Sequence, residues 1–188
     1  MYDCARAMNF LRWGSMVHRD LKMDNLLVVS LDPHSEVVCK LSDFGTTKKR
    51  QGAMEWSMTM SQSGGVGTPL FMAPEMFGYL EHALETSDLD VPDHKIKYTN
   101  KVDVYSFGIT LAGTINEKQP YEDQSFSSEF EFARRVVGGM RPNVKNADSV
   151  PSDLITLMEQ CWDADPHKRP SFEVIVTKLR EIISSHQR

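Results

Sequence analysis

The chain has 188 residues, of which 40% are hydrophobic and 25% charged, and its formal net charge at pH 7 is −5. That size and composition fit one globular domain with a hydrophobic core. The acidic balance and the lack of a long basic run argue against a general nucleic-acid binder or a membrane-surface protein. The short basic cluster at residues 48–50 is interpreted as a solvated loop.

Cysteine content and hydropathy predict the compartment. Three cysteines, without the spacing of a disulfide framework or a metal site, favour thiols that are buried or free in a reducing environment. No stretch approaches the roughly eighteen apolar residues of a membrane span, and the N-terminus lacks a basic segment followed by an apolar run. We therefore expect an intracellular protein, in the cytoplasm, that does not enter a membrane.

The first predicted element is a helix over residues 2–13. Four apolar residues recur there at helical spacing, and Gly14 is placed to end the helix: Cys4, Ala5, Met8 and Leu11. Residues 26–29 and 37–41 then predict two short strands joined by a turn at residues 32–35.

Four motifs follow one another along the chain. HRDLKMDN occupies residues 18–25, DFG residues 43–45, APE residues 73–75 and DVYSFG residues 103–108. One short match arises easily by chance, but four matches in this order do not. The set resembles the catalytic loop, the metal-binding triplet and the scaffold motifs of eukaryotic-type protein kinases. Residues 103–109 together with residues 161–170 most resemble the tyrosine-kinase-like group of serine/threonine kinases.

The resemblance implies a site for phosphoryl transfer, with ATP and Mg²⁺ as cofactors and a protein as substrate. Asp20 matches the catalytic aspartate that orients the acceptor hydroxyl and takes its proton, and Lys22 matches the lysine that reaches the transferring phosphate. Asn25 and Asp43 match the magnesium ligands, which also contact the nucleotide phosphates. Leu27 matches the floor of the adenine pocket.

Neighbouring residues have implied supporting roles. Arg19 resembles an arginine that pairs with a phosphorylated residue of the activation loop, and Thr68 resembles the threonine that contacts the catalytic aspartate and lysine. We expect His18 to pack and hydrogen-bond rather than carry protons, Phe44 to pack under the site, and Gly45 to allow the backbone to turn.

Three residues are implied to be structural. Glu75 and Arg169 are expected to form a buried ion pair, and Asp103 is expected to hold the catalytic-loop backbone by hydrogen bonds. Thr68 and Lys22 favour serine and threonine hydroxyls as acceptors.

The rest of the chain is divided into three parts. Residues 43–75 form the activation segment, predicted as a mobile surface loop with several hydroxyls open to phosphorylation. The alternation of Met54, Trp56, Met58 and Met60 there indicates either docking of the loop or a short strand.

Residues 76–98 are interpreted as an insertion that forms a solvated excursion, with a docking element for basic sequences as the alternative. Residues 99–184 are predicted as helical scaffold, with Ser152 capping one helix.

Together these features predict an α+β, mainly α-helical fold: a partial protein kinase domain over residues 1–188, with a β-hairpin beside the catalytic loop. The motifs belong to the large lobe. No glycine-rich loop and no strand lysine precede the first helix, so we expect the small lobe to be absent from this chain. The predicted function is that of a serine/threonine kinase, as the large lobe of a longer protein. The alternative is an inactive binding or scaffold module, with a partner covering the exposed surface that faces the small lobe.

Overall fold

The computed structural model describes residues 1–32, 35–49, 56–59, 67–78 and 95–186, and the structural statements below refer to these residues. The helices are α1 (Tyr2–Trp13), α2 (Lys101–Asn116), α3 (Glu129–Val137), α4 (Ser152–Cys161) and α5 (Phe172–His186). The strands are β1 (Met16–Val17), β2 (Leu26–Val28), β3 (Cys39–Leu41), β4 (Lys48–Lys49), β5 (Trp56–Thr59) and β6 (Lys95–Tyr98). Short 3₁₀ turns cover Met23–Asn25, Pro69–Phe71, Pro74–Phe77 and Ala147–Ser149. The predicted mainly helical α+β character is confirmed. Within the described residues, no helix is both long and apolar enough to cross a bilayer.

Helix α1 has the predicted bounds, and its four periodic apolar residues are all buried. The Gly14 N–H donates to the Phe10 carbonyl oxygen, 3.1 Å away, and so closes the last turn. Gly14 itself keeps a negative φ, whereas the next residue, Ser15, takes the left-handed conformation with φ 54°. The chain therefore reverses one residue later than the glycine indicated.

Helix α2 lies at the centre of the fold. It is buried on nearly every side, as expected for a helix that is apolar around its circumference. On one side Tyr105 and Ile109 join a cluster with Phe71, Phe77 and residues of α3. On the other side further α2 residues pack against α1, α4 and α5. The two halves of the core therefore meet on this one helix.

The strands form three two-stranded antiparallel ribbons. β1 pairs with β4, β2 with β3, and β5 with β6. The β2–β3 ribbon is the predicted hairpin, with Leu26 opposite Leu41. β5 confirms the short-strand alternative for Trp56 and Met58, whereas Met54 and Met60 lie outside the described residues.

Both ends of the predicted insertion belong to the fold. Met76 and Phe77 are buried in the core, and Tyr98, at the end of β6, is 2% exposed. A solvated excursion over all of residues 76–98 was therefore a wrong interpretation at these ends, because apolar side chains there fill the space beside α2. Residues 79–94 lie outside the described part of the chain. Ser152 was also predicted wrongly as a cap, since α4 begins at this residue and Pro151 occupies the capping position.

The cysteines are free thiols, as predicted. Cys4 and Cys161 are buried, and Cys39 is half-buried. Burial raises the pKa of Cys4 and of Cys161 to about 12. Both thiols therefore behave as small apolar core groups.

Candidate active site

Asp103 of α2 holds the backbone of the loop that contains residues 18–25. One carboxylate oxygen accepts the His18 N–H and the other accepts the Arg19 N–H, each at 2.8 Å. Arg19 has φ 70°, a strained conformation for a residue with a side chain. Asp103 is 2% exposed, and burial raises its pKa to about 6, against the lowering effect of the two N–H donors and of the Arg19 charge. The predicted contact of Asp103 with the loop backbone is confirmed.

Asp20, Lys22 and Thr68 form a closed triangle of contacts. The Thr68 hydroxyl donates to Asp20 Oδ1 at 2.8 Å, and Lys22 Nζ donates to Thr68 Oγ1 at 2.8 Å. Lys22 Nζ also lies 3.0 Å from Asp20 Oδ2. Thr68 therefore contacts the aspartate and the lysine at once, as the sequence predicted.

Asn25 completes the set around Asp20. Its side-chain Nδ2 donates to the Asp20 carbonyl oxygen at 2.7 Å and, more weakly, to Asp20 Oδ2 at 3.3 Å. Burial raises the pKa of Asp20, but the hydrogen bonds from Lys22, Thr68 and Asn25 and the Lys22 charge together hold it below its usual value. Asp20 is therefore an ionised acceptor at neutral pH.

Gly67 brings Thr68 to the site. Gly67 has φ 85°, and a Cβ at this position would lie 2.6 Å from the Arg19 carbonyl oxygen. Only glycine fits both the backbone conformation and the close approach. Gly67 and Thr68 thus contact the loop of residues 18–25 directly.

The β2–β3 ribbon connects Asn25 to Asp43. Asn25 immediately precedes β2, and its carbonyl oxygen accepts both the Ser42 N–H at 2.9 Å and the Ser42 hydroxyl at 3.0 Å. Asp43 follows Ser42 with φ 58°, and its Oδ1 accepts the Gly45 N–H at 3.2 Å. The left-handed residue of the triplet is therefore Asp43, not Gly45.

The donor set at this place fits a magnesium–nucleotide complex. The Asn25 amide nitrogen is bonded to Asp20, which leaves the amide oxygen for a cation, and Asp43 is an exposed carboxylate. Within the described residues, no cluster of three or more His, Cys, Asp and Glu could hold a metal ion by itself. Mg²⁺ commonly uses one or two protein oxygens, with phosphate oxygens and waters as the remaining ligands.

The two apolar residues assigned to this site are exposed. Leu27, opposite Lys40 on β3, is 53% exposed, so its role under adenine stays a prediction. The Phe44 ring lies edge-on to His18, with centroids 5.4 Å apart, yet it is 52% exposed. Phe44 therefore packs against the His18 ring, and about half of the residue stays exposed to solvent.

His18 and Arg19 are tied to the residues after the triplet. His18 is fully buried, and its Nε2 lies 3.2 Å from the Ser42 carbonyl oxygen. Burial lowers the pKa of His18, so the ring stays neutral at pH 7 and its predicted packing role is confirmed. The Arg19 guanidinium donates to the Thr46 carbonyl oxygen, with Nε at 2.7 Å. Pairing of Arg19 with a phosphate stays a prediction.

Thr46 is a site neighbour that the sequence did not indicate. Its hydroxyl donates to the His18 carbonyl oxygen at 2.7 Å, while its own carbonyl oxygen receives Arg19. Ser42 was missed in the same way. Both residues flank the triplet directly, and this adjacency was the only available signal.

Glu75 and Arg169 form the predicted ion pair with two parallel hydrogen bonds, of 2.7 and 2.8 Å. Arg169 also donates to the carbonyl oxygens of Asp163 and Lys101, and its side chain is fully buried. The Glu75 side chain is 19% exposed, so burial of the pair is complete only on the arginine side.

Comparisons with known proteins identify the family of the chain. The sequence profile of the family described as "Protein tyrosine and serine/threonine kinase" matches residues 1–179. The chain is 35% identical over 183 residues to "Dual specificity protein kinase shkC" of Dictyostelium discoideum, covering 96% of this chain and 31% of that protein. It is 34% identical to "Light-sensor Protein kinase" of Ceratodon purpureus, covering 94% and 13%.

A third relative is "Probable serine/threonine-protein kinase gdt4" of Dictyostelium discoideum, 29% identical over 98% of this chain and 10% of that protein. The chain therefore spans between about a tenth and a third of the length of these relatives. The profile match covers nearly all of the sequence, and it includes every motif described above. The chain belongs to the protein tyrosine and serine/threonine kinase family.

Proposed function

We propose that this chain is the large lobe of a protein kinase that transfers the γ-phosphate of ATP to serine and threonine hydroxyls of proteins. The observation that carries the proposal is the triangle of Asp20, Lys22 and Thr68. It places an ionised carboxylate, a cation and a hydroxyl within 3.0 Å of one another. Phosphoryl transfer depends on such positioning more than on covalent chemistry.

Each side chain has a separate task in this proposal. Asp20 orients the acceptor hydroxyl and receives its proton late, because its lowered pKa makes it a weak base. Lys22 offsets negative charge on the transferring phosphate, and Thr68 fixes the lysine relative to the carboxylate. Asn25 and Asp43 would hold Mg²⁺, which neutralises charge on the phosphate oxygens when bound.

Leu27 supports the proposed nucleotide position. It lies on β2, directly after Asn25, and offers an exposed apolar surface on which adenine could rest. Nucleotide positioning in this family also uses a glycine-rich loop and a strand lysine, neither of which occurs within the 188 residues. We therefore expect the isolated chain to transfer phosphate poorly or not at all.

A fusion tests the proposal. We would join the small lobe of an active protein kinase to Met1 and measure transfer of labelled γ-phosphate from Mg-ATP to peptides that differ only in having serine, threonine or tyrosine as acceptor. Tyrosine is included because shkC is named a dual-specificity kinase. We expect magnesium-dependent labelling of serine and threonine. A folded fusion that binds Mg-ATP but labels only tyrosine, or nothing, would contradict the proposal.

A second candidate function is a non-catalytic binding or scaffold module. The observation that favours it is the exposed apolar surface of residues 27–31, in which Leu31 is 93% exposed. Such a module would bind its partner through this surface and would need neither Asp20 nor Asp43. A folded fusion without transfer, together with partner binding that survives Asp20→Asn, would favour this second function.

A further inference from the structure

A cavity of about 580 Å³ lies between the β2–β3 ribbon and the C-terminal part of α2. Its lining is mostly apolar and consists of Met1, Met23, Leu26, Val28 and Val38 together with Cys39 and Gly113. The remaining lining residues are polar and exposed, so the cavity opens to solvent: Thr114, Glu117, Lys118 and Gln119. None of the contacts of the candidate active site uses this cavity.

An exposed leucine lies beside the cavity. Leu31 follows Val28, which lines the cavity, by three residues, and an extended chain advances about 3.3 Å per residue. Leu31 is 93% exposed, so it does not fill the cavity of its own chain. The same surface therefore presents an apolar side chain and an apolar cavity next to each other.

Hydrogen bonds fix the backbone on both sides of this leucine. Before it, the Val29 N–H donates to the Val38 carbonyl oxygen at 2.8 Å. After it, the Asp32 N–H donates to Ser30 Oγ at 3.1 Å. A side chain whose backbone is already held loses less conformational entropy when it binds. Leu31 is therefore a pre-organised anchor for a contact with another molecule.

The leucine and the cavity match each other in size and in chemistry. Cavities of about 300 to 1,000 Å³ hold small molecules that are larger than one leucine side chain. Both features belong to the same surface of one chain, so the surface is self-complementary. A two-fold axis between two copies would let each copy offer its leucine to the cavity of the other.

The exposed apolar area determines how strong such a contact can be. Val28, Val29 and Leu31 are between 50% and 93% exposed, which gives about 230 Å² of apolar side chain at roughly 30 Å² per carbon atom. A standard interface buries about 800 Å² per partner, of which roughly 450 Å² is apolar. The cavity lining supplies part of the difference. The area therefore suits a reversible pair of copies rather than a permanent dimer.

We propose that two copies of this chain form a reversible two-fold pair in which Leu31 of each copy enters the cavity of the other. The pair covers the exposed apolar residues of both copies and fills both cavities. It uses neither Asp20 nor Lys22 nor Thr68, so it does not depend on the proposed phosphoryl transfer. We expect a dissociation constant in the range of tens of micromolar.

Disulfide cross-linking tests the contact between the two copies, because Cys39 is a free thiol in the lining of the cavity. A Leu31→Cys/Cys39→Ser chain would be mixed with an affinity-tagged wild-type chain and oxidised with a copper catalyst. We expect a disulfide between position 31 and Cys39 of the tagged copy, identified by mass spectrometry of the joined peptides. The first chain lacks Cys39, so this bridge cannot form within one copy.

The matched control for cross-linking is Val174→Cys/Cys39→Ser. It carries its thiol at a position of α5 that is 43% exposed. We expect at least about tenfold less bridge to Cys39 from this position, because only random collisions bring the two thiols together.

Sedimentation velocity over a concentration series measures the pairing itself. Leu31→Ser removes the anchor, and Thr114→Trp places a large side chain at the rim of the cavity. Each change should raise the dissociation constant about tenfold or more. Thr156→Trp is the control and should change little, since both threonines are exposed on helices and donate to the carbonyl oxygen four residues earlier. Circular dichroism shows whether each variant is folded.

Three results would overturn the inference. A wild-type chain that stays monomeric up to about 1 mM would leave the cavity to a different protein. Equal bridging from positions 31 and 174 would show that the copies meet only by random collision. Association that is weakened in Leu31→Ser but unchanged in a folded Thr114→Trp chain would place the leucine against another surface of the second copy. Neither measurement uses ATP or an acceptor protein, so failure of the pairing is distinguishable from failure of phosphoryl transfer.

Discussion

Asp20 is the residue whose surroundings decide what the site can do. A carboxylate offers about four acceptor positions. Lys22 and Asn25 use two at Oδ2, and Thr68 uses one at Oδ1. One position on Oδ1 therefore stays available for an acceptor hydroxyl. The same three donors keep the carboxylate ionised. In the proposed function its first task is therefore orientation, with proton acceptance following late in transfer.

The donors around Asp20 can be tested through its pKa. In Lys22→Gln and in Thr68→Val the lowering contacts are lost while burial, which raises the pKa, remains. We expect the Asp20 pKa to rise in both variants, measured by carbon NMR titration of the side-chain carboxyl. Lys168→Gln serves as the matched control and should leave it unchanged. An Asp20 pKa that does not move in Lys22→Gln would show that the triangle does not form in solution.

Asp103 gives a prediction for stability against pH. Its folded-state pKa of about 6 lies above the ordinary unfolded value near 3.9, so the folded chain binds this proton more tightly. The contribution of Asp103 to the free energy of unfolding therefore decreases as pH rises from about 4 to about 6. Above that range this contribution is constant. The cation that faces Asp103 is Arg19. The nearby Cys4 thiol and Tyr98 hydroxyl stay neutral between pH 4 and pH 6.

Urea unfolding of the wild-type chain and of Asp103→Asn, at intervals from pH 4 to 7, measures this contribution as a difference. The free energy of unfolding of the wild type relative to the variant should decline through that window, because only the wild type has the titrating group. A flat difference would mean that Asp103 has the same pKa in the folded and the unfolded chain, and a rising difference would mean that folding lowers this pKa; either result would contradict the raised pKa.

At the scale of elements, α2 contacts the segments of the candidate site through residues on one face of the helix. Asp103 holds the loop of residues 18–25, and the Ser106 hydroxyl donates to the Phe71 carbonyl oxygen at 2.7 Å. Thr110 lies one turn further on, 3.5 Å from the Leu21 carbonyl oxygen. Residues spaced three or four apart share a helix face. One buried helix thus fixes both the loop of residues 18–25 and the turn at Pro69–Phe71.

The Arg169 ion pair connects three elements and predicts a large loss of stability when broken. Arg169→Gln leaves Glu75 without its cation and removes donors from the carbonyl oxygens of Lys101 and Asp163. We expect the free energy of unfolding to fall by about 3 to 5 kcal/mol, measured by denaturant titration.

The exposed pair Arg12–Glu173 provides the control for that measurement. Arg12→Gln should change the free energy of unfolding by no more than about 1 kcal/mol, because solvent screens this pair. Equal effects of Arg12→Gln and Arg169→Gln would contradict the structural role assigned to the buried arginine.

Elements differed in how well the sequence indicated them. Helix α1 was predicted to the residue because its four apolar positions carry the helical period. The pairing of β5 with β6 was not predicted, since register depends on segments about 40 residues apart. The solvated insertion was inferred from acidic residues between 81 and 93. That composition gave no indication that Tyr98, which follows it, is buried. Ser152 followed a proline that already occupied the capping position.

Site residues were predictable where a motif specifies chemistry. Asp20, Lys22 and Thr68 meet as expected, although Thr68 is 46 residues from Lys22. Thr46 and Ser42 were not found, because they act through backbone oxygens or through hydroxyls that no motif letter requires. The exposed fraction of Phe44 could not be predicted, because it depends on what lies over the ring, which the resemblance alone does not show.

At the scale of the whole molecule, residues 27–29 and 31 form a nearly continuous run of exposed apolar side chains within the described part of the chain. Leu27, Val28 and Val29 are each at least half exposed and are followed by the almost fully exposed Leu31. The surface lies beside Asn25 and Asp43, where the nucleotide is proposed to bind. Exposed apolar patches of this kind mark sites of association.

Self-association should therefore depend on this surface. The double variant Val29→Ser/Leu31→Ser should weaken concentration-dependent association of the chain roughly tenfold, because it removes exposed apolar area without changing the core. Sedimentation velocity over a concentration series measures the effect. Ile183→Ser removes a partly exposed aliphatic side chain from α5 and should change little. Association that responds equally to both changes would assign the interface elsewhere.

The most direct test of the central claim is the rate of phosphoryl transfer by the small-lobe fusion with Asp20→Asn beside Asp24→Asn. Both substitutions remove one carboxylate charge from the same loop, but Asp24 is exposed and lies outside the triangle. The account predicts that Asp20→Asn lowers the rate at least about 100-fold, while Asp24→Asn stays near the wild-type rate. Equal rates for the two variants would contradict the assignment of Asp20 as the residue that orients and deprotonates the acceptor.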